Sequence, residues 1–471
     1  MSPKAAWSHR SGRPPFAVPP VLLVLLVLFA LVGAGGTSAG AADRAGASGG
    51  AATPDRARYD VDLRADADGG QWTGRQRVSF RNASERPLRE VYLRLWGNGE
   101  DGCGRAGAPS PVKVSEVRGG SAAGLSVDCT ALRVTLPKPL VRGARASLSF
   151  GVSLTVPGRN ARFGREDAHR FLGNALPVLA VHDAKGWHLD PYVAVGESFY
   201  ALASDFRVRL DHPSVLKVPT TGRTQAVPSG DPGRTVTLAV ADRVRDFAWA
   251  AGPFRTATDI SPAGVRVKSY WADGTPAAGV RLTRTDALAA IDRFGEEFGR
   301  YPYGEIDLVM TPGFGGGMEY PGLVLLGTTE EGGAVVHELA HQWWYGVVGN
   351  DEYSSPWLDE SFAQYANARF HGWETRDCWA DVYWPDEDAA LTSSMDYWST
   401  HPGSYHLVYT AGPCALADLE RTLGAGSMAR LLKRYAQDHW YGVSTTAGFK
   451  KAAQAVTDQD LGPFWEAHRI R

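Results

Sequence analysis

The sequence predicts a multidomain α and β fold, with an N-terminal antiparallel β-sheet domain over residues 58–255 and an α+β domain over residues 256–471. Three observations predict it. Short alternating runs separated by Gly, Asp, Asn and Pro clusters fill the first stretch, as half-buried strands joined by turns require. After Gly252-Pro253 the pattern changes to helical periodicity mixed with short apolar runs. With 471 residues, 44% hydrophobic, 21% charged and 15 Trp, the chain can bury at least two substantial cores.

At the N-terminus, Lys4, Arg10 and Arg13 precede an apolar run that is unbroken from Val21 to Val32, and small residues follow. This is the pattern of a secretory signal peptide over residues 1–41, cleaved after Ala41 in Ala39-Gly40-Ala41, and it predicts a secreted protein. The alternative is an uncleaved membrane anchor, with the apolar stretch extended from Phe16 to Ala34 across Pro19 and Pro20. Twelve strictly apolar residues are short for a span, which favours cleavage. Residues 42–57, rich in Ala, Gly, Asp and Arg, read as a flexible leader.

In the β-rich half, Tyr59–Leu63, Arg77–Phe80 and Val91–Leu95 are the clearest strands. In the second half, Ala287–Phe298 reads as an amphipathic helix, Ile306–Met310 as a strand, 313–317 as a loop and Leu323–Leu326 as another strand. Cys103 and Cys129 lie in the first half, Cys378 and Cys414 in the second. Export permits disulfides, and pairing within each half is the simplest of the three connectivities; none of the four shows zinc-ligand spacing. The formal net charge of -2 gives no electrostatic reason to expect nucleic acid.

Function concentrates in residues 337–361. His337-Glu338-Leu339-Ala340-His341 places two histidines at i and i+4, on one face of a helix. With eighteen residues between it and His341 comes Glu360, in Trp357-Leu358-Asp359-Glu360-Ser361. Two imidazoles and a carboxylate from a second helix complete a three-ligand zinc site with an open position, one zinc ion per chain. Glu338 falls beside that position, where it can act as general base on a water activated by the metal. The pattern reads as a metallopeptidase. Thr328 and Glu331 read as a capping box ahead of the first helix, whose apolar stripe is Val335, Val336, Leu339, Ala340 and Trp343. Ser355 as N-cap, with Pro356 at the first helical position, opens the second.

Those motifs, with HELAHQWWYGVVGN, PWLDESFAQYA and, upstream, FGRYPYGEIDLVMTPGFGGGMEYPGLVLL, resemble the catalytic domain of the M1 family of zinc aminopeptidases. The likeness runs from about residue 290 to the end of the chain, and more weakly back to about residue 58. It implies a saddle-like β domain walling the active-site cleft, followed by a thermolysin-like catalytic domain. It also implies a short form without the large C-terminal helical domain of many members. The proline- and cysteine-bearing acidic signature of larger members is absent near the end of the β domain. In its place stand Trp187–Tyr192 and Gly196-Glu197-Ser198-Phe199, where Glu197 is either a cleft residue or a solvated loop carboxylate.

The resemblance further implies that Tyr409, in Val408-Tyr409-Thr410-Ala411-Gly412, donates to the tetrahedral oxyanion, with Tyr405 as the fallback. Thr410-Ala411 replaces the usual acidic-lysine pair. By the same likeness Glu319 anchors the substrate's free ammonium, and Gly316, Gly317 and Met318 form the loop along the substrate backbone. Tyr320 stands where the family pattern usually ends in Asn, which bears on side-chain preference more than on the reaction. The expected function is a secreted aminopeptidase acting on peptides through zinc-activated water. The alternatives are a zinc hydrolase of the same fold with endopeptidase or epoxide hydrolase activity, or a non-catalytic binding protein, against which the intact His337, Glu338, His341 and Glu360 speak. Membrane contact is expected only if the N-terminal segment is not cleaved.

Overall fold

The computed structural model describes residues 52–104, 110–373, 375 and 378–471. The expected signal segment, the cleavage after Ala41 and residues 42–51 of the expected leader lie outside the described residues. The end of that leader is folded instead. The first strand, Asp55–Ala65, begins inside it, and Thr53 exchanges backbone hydrogen bonds with His182 at 2.8 and 2.7 Å. Ala57 and Tyr59 are buried, so the strand is held by its apolar face.

The largest sheet has seven strands, in the order Arg223–Pro228, Arg234–Val244, Ser204–Pro213, Asp55–Ala65, Gln71–Arg81, Arg145–Thr155 and Val112–Arg118. The sequence reading of a purely antiparallel sheet is corrected at one place. Asp55–Ala65 pairs in parallel with Ser204–Pro213, Tyr59 opposite Phe206, because the first strand of the domain meets one that returns after a long connection. The other pairs are antiparallel. Tyr59, Val61, Leu63, Val78 and Phe80 alternate onto the inner face and pack with Val91, Leu93 and Val134 of a four-stranded sheet. Each such side chain, removed from water, stabilises the fold by roughly 1.5–3 kcal/mol.

The second half begins with a five-stranded sheet, in the order Arg255–Ile260, Arg266–Trp271, Glu305–Thr311, Leu323–Gly327 and Gly317–Met318. Arg266–Trp271 and Glu305–Thr311 run parallel, so a crossover must join them. That crossover is helix α1, Ala277–Phe298. It starts ten residues before the predicted Ala287, because its first turns are polar: only Gly279, Val280 and Thr283 are buried ahead of Ala287. Helices α2 (Val335–Ala340), α3 (Trp357–His371), α4 (Met395–Thr400) and α5 (Leu407–Leu423) follow. α1, α2, α3 and α5 share one core around Phe294, Leu339, Trp343, Phe362 and Leu416.

A third cluster lies where the halves meet. Phe171, Ala248 and Ala250 of the β-rich half pack against Val309, Phe314, Tyr320, Leu323 and Leu325. Beside it Asp307 is fully buried; one carboxylate oxygen accepts the Thr220 N–H at 3.1 Å and the other has no partner. Burial pushes its carboxyl up to about 8 against the pull of Lys268. Disulfides close Cys103 to Cys129 and Cys378 to Cys414, one in each half.

Candidate metal centre and cleft

The connection into α2 is not the predicted capping box. The N-cap is Ala334, with no side-chain hydrogen bond, and the Thr328 hydroxyl is buried without a partner. Thr329 closes a tight turn onto Gly332 instead, its N–H and hydroxyl donating to the Gly332 carbonyl at 2.8 and 3.0 Å. α3 likewise starts one residue later than expected, with Pro356 as N-cap and no side-chain cap. Glu360 remains in its first turn, where the partial positive charge of the helix end favours a carboxylate.

His337 and His341 lie one above the other, ring centroids 4.7 Å apart, as the i, i+4 spacing requires. α3 crosses α2 so that the Glu360 carboxylate meets both. Its Oε2 is 3.2 Å from His337 Nε2 and 3.3 Å from His341 Nε2, and the two Nε2 atoms are 3.1 Å apart. All three residues are buried. On the far side of each ring, His337 Nδ1 is 2.9 Å from Gln364 Oε1 and His341 Nδ1 is 3.0 Å from the Trp344 carbonyl. Both far partners are acceptors, since the Asn367 side chain donates to the same Gln364 oxygen at 3.2 Å. Each imidazole therefore carries its proton on Nδ1 and aims the Nε2 lone pair inward, the arrangement in which outer partners orient metal-ligating histidines. Two lone pairs and a carboxylate oxygen converging on one buried point repel one another unless a cation lies between them. His337, His341 and Glu360 form a group able to hold a metal ion.

Around that point the structure brings together most of the predicted site residues. Glu338 is buried one residue after His337; burial, then nearby Glu319, pushes its carboxyl well above the usual range. Gly317 lies against it: a Cβ there would come within 2.2 Å of Glu338 Oε1, so the glycine permits the close approach. Gly317–Met318 is the edge strand of the five-stranded sheet, and Glu319, also buried, follows it. On α5, the Tyr409 hydroxyl donates to Glu360 Oε1 at 2.6 Å, with its ring 6.0 Å from that of His337. Burial, then Glu360, raises the pKa of that hydroxyl well above its usual value, so it is a donor at neutral pH. The Tyr405 hydroxyl is buried and makes no hydrogen bond.

Glu197 is not a solvated loop carboxylate. It is 6% exposed and held in a fork by part-buried Arg162, Nη2 to Oε1 at 2.6 Å and Nη1 to Oε2. Burial, opposed by Arg162, pushes its carboxyl up to about 7. Arg162, Glu197, Met318, Glu319 and Glu352 line one recess. Tyr320 lines it too and donates to Asn174 Oδ1 at 2.8 Å, in space that Gly173 leaves by lacking a Cβ.

Three residues that shape the site were not singled out from sequence. Gln364 stands four residues after Glu360, on the same helical face, and that spacing was its signal. Gln342, next to His341, accepts from Gly322 N at 2.9 Å and donates to the Glu319 and Tyr320 carbonyls at 3.2 Å, tying the Glu319 strand to α2. Arg162 is distant in sequence from its partner and carried no local signal.

Comparison with known proteins agrees with this geometry. Residues 286–468 match the family model described as the peptidase family M1 domain. Aminopeptidase A of Gloydius brevicauda is 26% identical over 255 residues, 45% of this chain and 26% of that protein; the chain thus spans about a quarter of that relative's length. Two solved structures share the fold. One is a two-domain M1 zinc metallopeptidase variant bound to L-tryptophan, with a TM-score of 0.64 and 18% identity over 89% of this chain and 93% of that one. The other is an M1 zinc metallopeptidase variant from Deinococcus radiodurans bound to a Tyr-Ser-Ala substrate, with a TM-score of 0.65 and 19% identity over the same shares. The β-rich first half and helical second half of this chain follow that two-domain architecture, and the segment that matches the peptidase family M1 domain includes His337, His341 and Glu360.

Proposed function

We propose that the protein is a secreted zinc-dependent aminopeptidase that hydrolyses the N-terminal bond of peptides. The observation that carries this is the convergence of His337 Nε2, His341 Nε2 and Glu360 Oε2 at 3.1–3.3 Å. The edge of a tetrahedron with zinc bonds of about 2.0–2.1 Å is roughly 3.3 Å, and two imidazoles with one carboxylate suit zinc. Zinc, when bound, supplies Lewis acidity, polarising the scissile carbonyl and acidifying a water.

The remaining work falls to the chain. Glu338, buried and adjacent, accepts a proton from the attacking water and returns it to the leaving amine. Tyr409 donates its hydroxyl proton to the oxygen on which charge develops, a donor in place before the reaction begins. Glu319 pairs with the substrate's ammonium and limits binding to chain ends. The edge strand Gly317–Met318 offers backbone groups with which an extended peptide can pair. Secretion is supported by the N-terminal segment and by the two disulfides, which persist in oxidising compartments.

A panel of aminoacyl reporter substrates, assayed with and without a chelator and after zinc is restored, tests the proposal. Activity that needs a free amine, is lost with the chelator and returns with zinc supports it. Cleavage of N-blocked peptides at internal bonds, or opening of an epoxide substrate with no aminoacyl turnover, overturns it in favour of another zinc hydrolase.

A further inference from the structure

Apart from the triad, one more group of side chains among the described residues has the donors and spacing for a metal: His188, Asp190 and Asp351. His188 and Asp190 follow the hairpin of His182–Asp183 and Gly186–Trp187 in the β-rich half. Asp351 lies in the connection that carries the chain from His341 to Glu360. His188 Nδ1 is 3.4 Å from Asp351 Oδ2 and 3.9 Å from Asp190 Oδ2, and the three ligand atoms lie within 4.8 Å of one another. His188 Nε2 faces Asp183 Oδ2 at 2.9 Å. That carboxylate stands behind the ring, and Nδ1 faces the other two. Ser354 donates to Asp351 Oδ2 at 2.6 Å and steadies it.

The charges there do not balance. Three carboxylates surround one imidazole, and among the described residues no lysine or arginine pairs with any of them. Arg94 is near, but it directs its donors to the carbonyls of His188 and Asp190 at 3.3 and 2.7 Å and to Thr130 at 3.3 Å, and stacks over Trp96. Asp190 and Asp351 both face His188 Nδ1, at 3.9 and 3.4 Å. A proton on His188 offsets only one of them.

We propose that His188, Asp190 and Asp351 bind a divalent first-row transition ion that joins the two halves of the molecule beside the cleft. One nitrogen and two oxygen donors suit zinc or manganese, and the spacing, wider than in the catalytic triad, leaves room for bound water. The ion crosses between halves at a place they already touch: the next residue, Glu352, accepts the Phe199 N–H at 3.2 Å and donates its own N–H to the Phe199 carbonyl at 3.3 Å. Bound there, it fixes the connection that presents Glu360. The proposal does not depend on the peptidase reading.

The test is metal content after chelator stripping and reloading with Zn2+ or Mn2+, on the wild type and on His188→Gln, Asp190→Asn and His341→Ala. About two equivalents are expected in the wild type and about one in each variant, with His188→Gln and Asp190→Asn losing the ion that His341→Ala keeps. Asp190→Asn preserves shape, and His341→Ala still binding one equivalent reports on the second site even if the His188 variant fails to fold. A wild type that takes up a single equivalent of either metal, lost in His341→Ala, overturns the proposal. So does undiminished metal content in both His188→Gln and Asp190→Asn, which would leave a protonated imidazole as the only cation there. If Asp190→Asn abolishes uptake while His341→Ala leaves it unchanged, the second site stands and the triad falls.

Discussion

The Tyr409 hydroxyl donates to Glu360 Oε1 at 2.6 Å, while Oε2 of the same carboxylate faces both imidazoles. One carboxylate thus links the helix that carries the tyrosine to the point where a metal is held. Tyr405, one turn earlier, has its ring 5.7 Å from that of Tyr409 but brings no hydrogen-bonded hydroxyl.

The two tyrosines should therefore respond differently to loss of the hydroxyl. Tyr409→Phe is expected to lower kcat by about 100-fold or more with KM within a few-fold, the pattern of an interaction made mainly in the transition state. Tyr405→Phe removes a buried, unpartnered hydroxyl and should leave kcat nearly unchanged, with stability equal or slightly higher. Steady-state kinetics on one aminoacyl reporter decides; the reverse ranking would place the oxyanion donor at Tyr405.

Glu319 should set the requirement for a free amine. Losing one partner of a desolvated charge pair costs roughly 2–5 kcal/mol, which is about thirty-fold to several-thousand-fold in kcat/KM. Glu319→Ala on a free peptide and wild type on the N-acetylated peptide should both show such a loss. Combined, the two changes should not multiply, because they remove the two ends of one contact. Fully multiplicative losses would show that Glu319 acts elsewhere.

Asp307 ties stability to pH. Its carboxyl is pushed up to about 8 in the folded protein, from 3.8 for an unperturbed aspartate, so the folded state holds the proton more tightly than the unfolded one. Its favourable contribution is complete below about pH 4 and is lost as pH rises through about 8, at up to roughly 1.4 kcal/mol per pH unit. Asp307→Asn keeps an acceptor for Thr220 and cannot ionise. Urea unfolding of both proteins at pH 5.5 and 8.5 should show the variant gaining on the wild type at the higher pH, while a difference independent of pH would contradict the buried-carboxyl account.

What could be read from sequence was local. The i, i+4 histidines and the helix bearing Glu360 each occupy a few consecutive residues, so spacing alone placed them. The strand Leu323–Gly327 was likewise visible as a short apolar run ending in glycine, whereas the edge strand Gly317–Met318 was read as loop, because two residues beside a run of glycines carry no strand pattern. The Thr328–Glu331 capping box failed because the same residue types also build tight turns, and here Thr329 closes one before the helix begins. The first turns of α1 were missed because a polar surface leaves only a sparse apolar stripe. The parallel pairing of Asp55–Ala65 with Ser204–Pro213 and the Arg162–Glu197 fork join segments far apart in the chain. No local pattern reports such pairings, since tertiary packing decides them.

The central claim is that His337, His341 and Glu360 hold a catalytic zinc ion and that Glu338 acts as its base. Zinc content and turnover, measured together on purified Glu338→Gln and on the three single alanine variants of the ligands, test both parts at once. Glu338→Gln should keep the zinc content of the wild type and lose turnover by about 1,000-fold or more, because it removes a base and not a ligand. His337→Ala, His341→Ala and Glu360→Ala should each lose about one equivalent of zinc along with activity. Undiminished zinc in all three ligand variants, or wild-type turnover by Glu338→Gln, would contradict the account.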